Sequence, residues 1–207
     1  MAKSNYWKDR QTDQAKRRVK FTDKQHRKVR KKTARLYKEV RDSVENEMLR
    51  LWHEILDPDG VPSANELYRF NRLYKTFEQI NKELDRLHSD FFKTIDPEFQ
   101  KLYENMVKDT MYAIEQDYFD KERAETVANN LWMTSRNKWS KNVWCSDGAN
   151  AEIRHEKQMY KLSQTLERGM IDVVARGQSK EKLVEDILDR FDVSFSEADR
   201  LCRTEMT

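Results

Sequence analysis

Apolar residues recur every three or four positions over most of the chain, the spacing of amphipathic helices. From Gln14 to Leu56 neither Gly nor Pro intervenes, and Leu36, Val40, Val44, Met48, Leu51 and Ile55 form a stripe widened by Tyr37, Trp52 and Leu56. Before about Thr33 apolar residues are few, so that stretch is expected to be helical only when bound. Asp57-Pro58-Asp59-Gly60 stops the helix and turns the chain. Ser63 with Glu66 makes a capping box. In the following run, Phe70, Leu73, Phe77, Ile80, Leu84, Leu87 and Phe91, steps of three and four alternate. Such a seam pairs helices in coiled-coil fashion, within one chain or between two copies. Asp96 as N-cap and Pro97 at the first helical position predict a fresh helix carrying Phe99, Leu102, Tyr103, Met106, Thr110, Ile114 and Tyr118. It should end or bend near the charged run at 120–125.

The last third is the most informative. Trp132 and Trp139 share one helical face, and Trp144 follows closely. These side chains read either as the core of a C-terminal subdomain or as anchors of a protein interface, where Trp is enriched. The polar segment 145–150 marks a boundary. Met159, Leu162, Leu166, Met170 and Val173 then define one helix face, and Leu183, Ile187, Leu188 and Phe191 another. Gly177 can take the left-handed conformation that ends a helix, and Ser179 can open the next. Ser194 with Glu197 repeats the capping-box pattern ahead of Ala198. A long helix, a tight turn and two short helices are the expected result.

The elements predict an all-α fold, an elongated bundle of long amphipathic helices with a smaller helical C-terminal subdomain. The expected division is a basic N-terminal segment at 1–32, a long-helix bundle at 33–125 and a C-terminal domain at 126–207. Composition agrees: 37% of residues are charged and 37% hydrophobic, with Gly 4 and Pro 3, too few for sheets and tight loops. No apolar run approaches the roughly 18 residues of a membrane span, and no signal-peptide core is evident, so a cytoplasmic site of synthesis is expected. Cys145 and Cys202 lack metal-type spacing and are not expected to pair.

Charge is divided unevenly. Residues 1–41 hold 16 Lys/Arg and 4 Asp/Glu, a balance of +12, whereas residues 42–207 hold 24 and 33, a balance of −9. Such a basic block attracts polyanions without sequence choice, since each neutralised phosphate releases counterions. Its expected contacts with double-stranded DNA are Lys16, Arg17, Arg18, Lys20, Arg27, Lys28, Arg30, Lys31 and Lys32, with Lys24 in the same block. An acidic protein surface is the competing partner. Tyr6 and Trp7 are expected to anchor against the body or a neighbour. No Gly-rich phosphate loop, zinc-protease or nucleophile-elbow motif occurs, and His26, His53, His88 and His155 are scattered. The reading is therefore of a non-enzyme with no metal and no cofactor.

The Trp-containing segment, the helix end at 175–179 and the closing Ala198, Arg200, Leu201, Arg203, Thr204 and Glu205 resemble the tailed-phage minor head proteins, the head-morphogenesis family of Mu F type. The opening Asn5, Tyr6, Trp7, Lys8 and Arg10 resembles Gram-positive phage members. Members of that family continue past the Arg-Thr-Glu, so the chain is expected to be part of a longer one. The resemblance implies a virion protein of low copy number in the portal-proximal capsid interior, made in the host cytoplasm. It implies partnership with the portal, with scaffold or capsid protein as further partners, and ejection with the genome; self-association is the expectation of the seam if it closes between copies. The alternatives are a helix-turn-helix-like DNA-binding regulator built on Leu183–Phe191 and Ala198–Glu205, and an enzyme fragment whose catalytic half lies downstream.

Overall fold

The computed structural model describes residues 3–56, 59–115, 119–139, 141 and 148–206, with the side chains of 3–11, 70, 115 and 134–139 outside that description. Among the described residues the fold is all-α. Its helices are α1 (Lys3–Glu54), α2 (Ala64–Tyr68), α3 (Arg72–Glu115), α4 (Lys121–Trp139), α5 (Ala151–Ala175) and α6 (Lys180–Met206), with a 3₁₀ turn at Arg69–Asn71. No described helix is long and apolar enough to cross a membrane.

The helices pack into two compact units. One comprises Met1–Lys32, Lys93–Ala151 and Leu201–Thr207; the other comprises Thr33–Phe92 and Glu152–Arg200. The units interleave along the chain rather than following one another, and only the boundary at residue 32 coincides with the sequential division at 32 and 125.

The second unit is a bundle of α1, α3, α5 and α6 stretches around large aliphatic side chains. Val44, Met48, Leu51, Ile55, Ile80, Leu84, Leu87, Phe91, Leu166, Met170 and Leu183 are all at most 2% exposed. The three-and-four seam from Leu73 to Phe91 is buried here, so it closes within the chain. The turn between α5 and α6 follows its sequence. Gly177, with φ +59, donates to the Val174 carbonyl and Gln178 to that of Val173, the paired bonds of a Schellman cap.

Among the described residues the first unit has a thinner core. Ala124, Ala128 and Trp132 of α4, Val29 of α1, and Phe99 and Leu102 of α3 are buried, with Cys202 and Met206 of α6. Asp120 caps α4, its Oδ1 accepting from the Glu122 and Arg123 amides at 2.9 and 3.1 Å. The expected break near 120–125 therefore falls there.

Four expectations give way. The stretch before Thr33 is helical, because Gln25 and Val29 are buried and Gln14, Arg18 and Lys32 bond to α3. Only half of the capping box at Ser63 forms: the Glu66 amide lies 3.4 Å from Ser63 Oγ, while the Ser63 amide donates to the Ile55 carbonyl, and the helix stops after one turn. Asn71 there takes φ +54, which asparagine tolerates, while Arg72 donates to the Glu54 carbonyl. α3 runs straight through Pro97 instead of restarting. Ile95, Phe99 and Leu102 are buried on both sides of the proline, and that burial outweighs its cost of about 3 kcal/mol. Finally, α6 is one helix from Lys180 to Met206. The hydroxyl of Ser194 caps nothing; buried, it accepts from Gln158 Nε2 at 3.0 Å.

Candidate nucleic-acid interface

At about 100° per residue, the buried positions Gln25, Val29, Thr33 and Leu36 fix the inward side of α1. Arg17, Lys20, Lys24, Arg27, Lys28 and Lys31 fall on the opposite side, within an arc of about 100° and along about 21 Å of helix. All six are exposed, and none makes an ion pair among the described residues. From Gln14 to Lys31 that arc carries no acidic residue.

The remaining candidates stand differently. Arg18 pairs with Asp109 of α3 at 3.1 Å, Lys32 with Glu98 at 2.8 Å, and Lys16 with Asp13 at 3.9 Å. Arg30 is exposed but lies off the stripe. The nine expected contacts thus divide into five on an open face, joined there by Lys24, and four beside it. Their spacing held the signal: Arg17, Lys20, Lys24, Lys28 and Lys31 are three or four apart.

Arg18 and Lys32 fasten α1 to α3. Glu98, 2% exposed, accepts at one oxygen from both Lys32 at 2.8 Å and Lys101 at 3.2 Å. Its other oxygen has no hydrogen-bond partner among the described residues. Burial pushes this carboxyl up, but the two lysines outweigh burial and hold it below the ordinary carboxylate range.

The aromatic candidates are not brought together. Trp132 is buried, its ring 5.8 Å from that of Tyr103, so it is core rather than exposed anchor. Trp139 ends α4, and its side chain, like those of Tyr6 and Trp7, lies outside the described residues, as does all of Trp144. At the chain's end, Ala198 is buried and Leu201 half-buried, whereas Arg200, Arg203 and Thr204 are exposed and Glu205 is half-buried.

Sequence reading missed the histidines. His155 is 0% exposed, and its Nδ1 lies 3.0 Å from His88 Nδ1 and its Nε2 3.1 Å from Tyr37 Oη, all within the second unit. Its ring stacks on Phe91 at 4.0 Å. The signal was position: His155 precedes Met159 by four residues and Leu162 by seven, on the buried face of α5. Burial, and then the neighbouring His88, pushes its imidazole down to about 3. Among the described residues no group of three or more His, Cys, Asp or Glu is placed to hold a metal ion.

Compared with protein-family models, characterised proteins and solved structures, the chain matches none. The likeness to phage minor head proteins accordingly rests on the residues quoted for it.

Proposed function

We propose that this protein is a minor head protein of a tailed bacteriophage that works by binding, with the outward face of α1 meeting packaged double-stranded DNA and the portal as protein partner. The observation that carries the DNA contact is the stripe of six cations opposite the buried side of α1. Cations alone hold phosphate, whereas reading bases takes a recognition element seated in a groove with amides or guanidinium forks aimed at base edges. Four of the six cations are lysines and the stripe includes neither Asn nor Gln and no aromatic residue, which favours phosphate contact independent of sequence, with Arg17 and Arg27 the two side chains of a kind that can also reach bases. A helix-turn-helix reading has no comparable support, because α6 is continuous between Leu183 and Glu205. The portal partnership stands on the resemblance.

The test is binding to random-sequence duplex at several salt concentrations. Each phosphate neutralised contributes a log–log slope of about −0.9, so a fully engaged stripe gives about −5. Replacing Arg17, Lys20, Lys24, Arg27, Lys28 and Lys31 by Gln abolishes retention at moderate salt while helix content stays the same. Unchanged retention overturns the DNA assignment. Co-sedimentation with a portal ring tests the other half, and absence of binding there overturns it.

A further inference from the structure

The hydrogen bonds of Tyr37, His155 and His88 form a chain with a limited capacity for protons. A neutral imidazole has one donor and one acceptor nitrogen. In one arrangement the Tyr37 hydroxyl donates to His155 Nε2, and His155 Nδ1–H donates to His88 Nδ1. In the other, His88 Nδ1–H donates to His155 Nδ1, and His155 Nε2–H donates to Tyr37 Oη. A proton arriving from solvent on His88 makes its Nδ1 a donor and selects the second arrangement, breaking nothing. A second proton, on His155, sets N–H against N–H across 3.0 Å and cannot be held without separating the rings.

His88 offers the entry. It is half-buried and lines a groove of roughly 720 Å³ between α3 and α5, with Asn81 and Asp85 on one wall and Glu156, Lys157 and Ser163 on the other. Behind it His155 is enclosed by Phe91 and Phe92. We propose that Tyr37, His155 and His88 are an acid-released clasp in the second unit, which accepts one proton and opens α5 from α3 on the second.

The surroundings offer little to offset the second charge. From α3 Asp85, and from α5 Glu156 and Lys157, face the groove on the His88 side. Beyond Tyr37, Lys38 and Arg41 of α1 and Asp192 of α6 line a separate cavity. The α6 residue against the Tyr37 ring is Phe195, at 5.6 Å. The low proton affinity of His155 follows from burial first and His88 second, and among the described residues no carboxylate opposes them. Opening returns the imidazole to water and to its ordinary affinity, so acid favours the open state.

Hydrogen exchange of the full chain in residues 72–92 and 152–175, corrected for intrinsic rates, is the test. Between pH 6.5 and 5.0 the opening equilibrium rises about fifteenfold, approaching tenfold per pH unit at the acid end of that window. His155→Gln removes the rise. His88→Gln reduces it, because the introduced amide oxygen can accept from a doubly protonated His155. A wild-type chain without the rise, a His155→Gln chain that keeps it, or a His88→Gln chain matching wild type overturns the clasp. Should His155→Gln fail to fold, imidazole ¹⁵N shifts of the wild type decide: His155 stays a single neutral tautomer in the folded chain at pH 5, and a charged His155 in the folded chain at pH 6 overturns the proposal.

Discussion

The two units of this chain solve the same packing problem with different materials. In the second, large aliphatic and aromatic residues from α1, α3, α5 and α6 fill the interior, and its buried polar chain runs through a tyrosine and two histidines. In the first, alanines at 124 and 128 leave little apolar volume, and charged side chains bridge the helices: Arg18 to Asp109, Lys32 to Glu98, Lys108 to Glu125. Ion pairs between partners open to solvent, such as Arg18 with Asp109, contribute little each, roughly 0–1 kcal/mol, and only Glu98 among these carboxylates is buried. Among the described residues the unit that displays the basic stripe is therefore the one with less hydrophobic burial behind it, and on the proposed function the difference shows where stability and polyanion binding compete for the same residue types.

The largest expected effect tests the aliphatic side of this contrast. Leu166→Ala, at a position 0% exposed, costs about 2–5 kcal/mol, read as a lowered urea midpoint with exchange accelerating first in α5 and α6. A smaller loss, or one spread evenly over the first unit, breaks the comparison. Next comes pH. The His155 imidazole, ordinarily near 6.5, lies at about 3 when folded, so the unfolded state binds more protons between those values. Stability of the second unit is full above pH 6.5 and falls as pH drops, by up to about 1.4 kcal/mol per unit. Glu98 has the opposite chemistry and the same sign: its lowered carboxyl stabilises above the ordinary value of 4.5 and is lost as pH falls through the folded value. Acid should thus loosen the second unit at a higher pH than the first, despite its richer core, and exchange at residues 72–92 against 93–114 reads the order.

Glu98→Gln is smaller, about 1–2 kcal/mol, discounted because Lys32 and Lys101 are each about half exposed (46% and 52%). Its exchange signature falls on residues 93–114. Smallest in stability is the sixfold Gln substitution of the stripe, within about 0.5 kcal/mol, since those cations make no pair among the described residues. A large destabilisation there would show the stripe to be structural.

Much of the fold was legible because helical periodicity is local. The stripe from Leu36 to Ile55, the seam from Leu73 to Phe91 and the Gly177 cap are each set by residues a few positions apart. What was not legible depended on distant partners. Ser194 carries a start signal, yet its hydroxyl serves Gln158 of another helix; Pro97 carries another, overridden by burial at Ile95 and Phe99. The basic stripe was half legible: its charge is evident in composition, but which cations face outward required knowing that Gln25 and Val29 face in. The histidine chain joins positions 118 and 67 residues apart, and nothing local marks their meeting.

On the proposed function the stripe has a kinetic consequence as well. A duplex held by cations meets an almost even landscape, because every step along its backbone presents the same phosphates. No position is a resting place, and the contact exerts drag without a latch. On the proposed function, such a surface would shield the charge of a genome while leaving it free to slide past, in whichever direction the rest of the particle drives it.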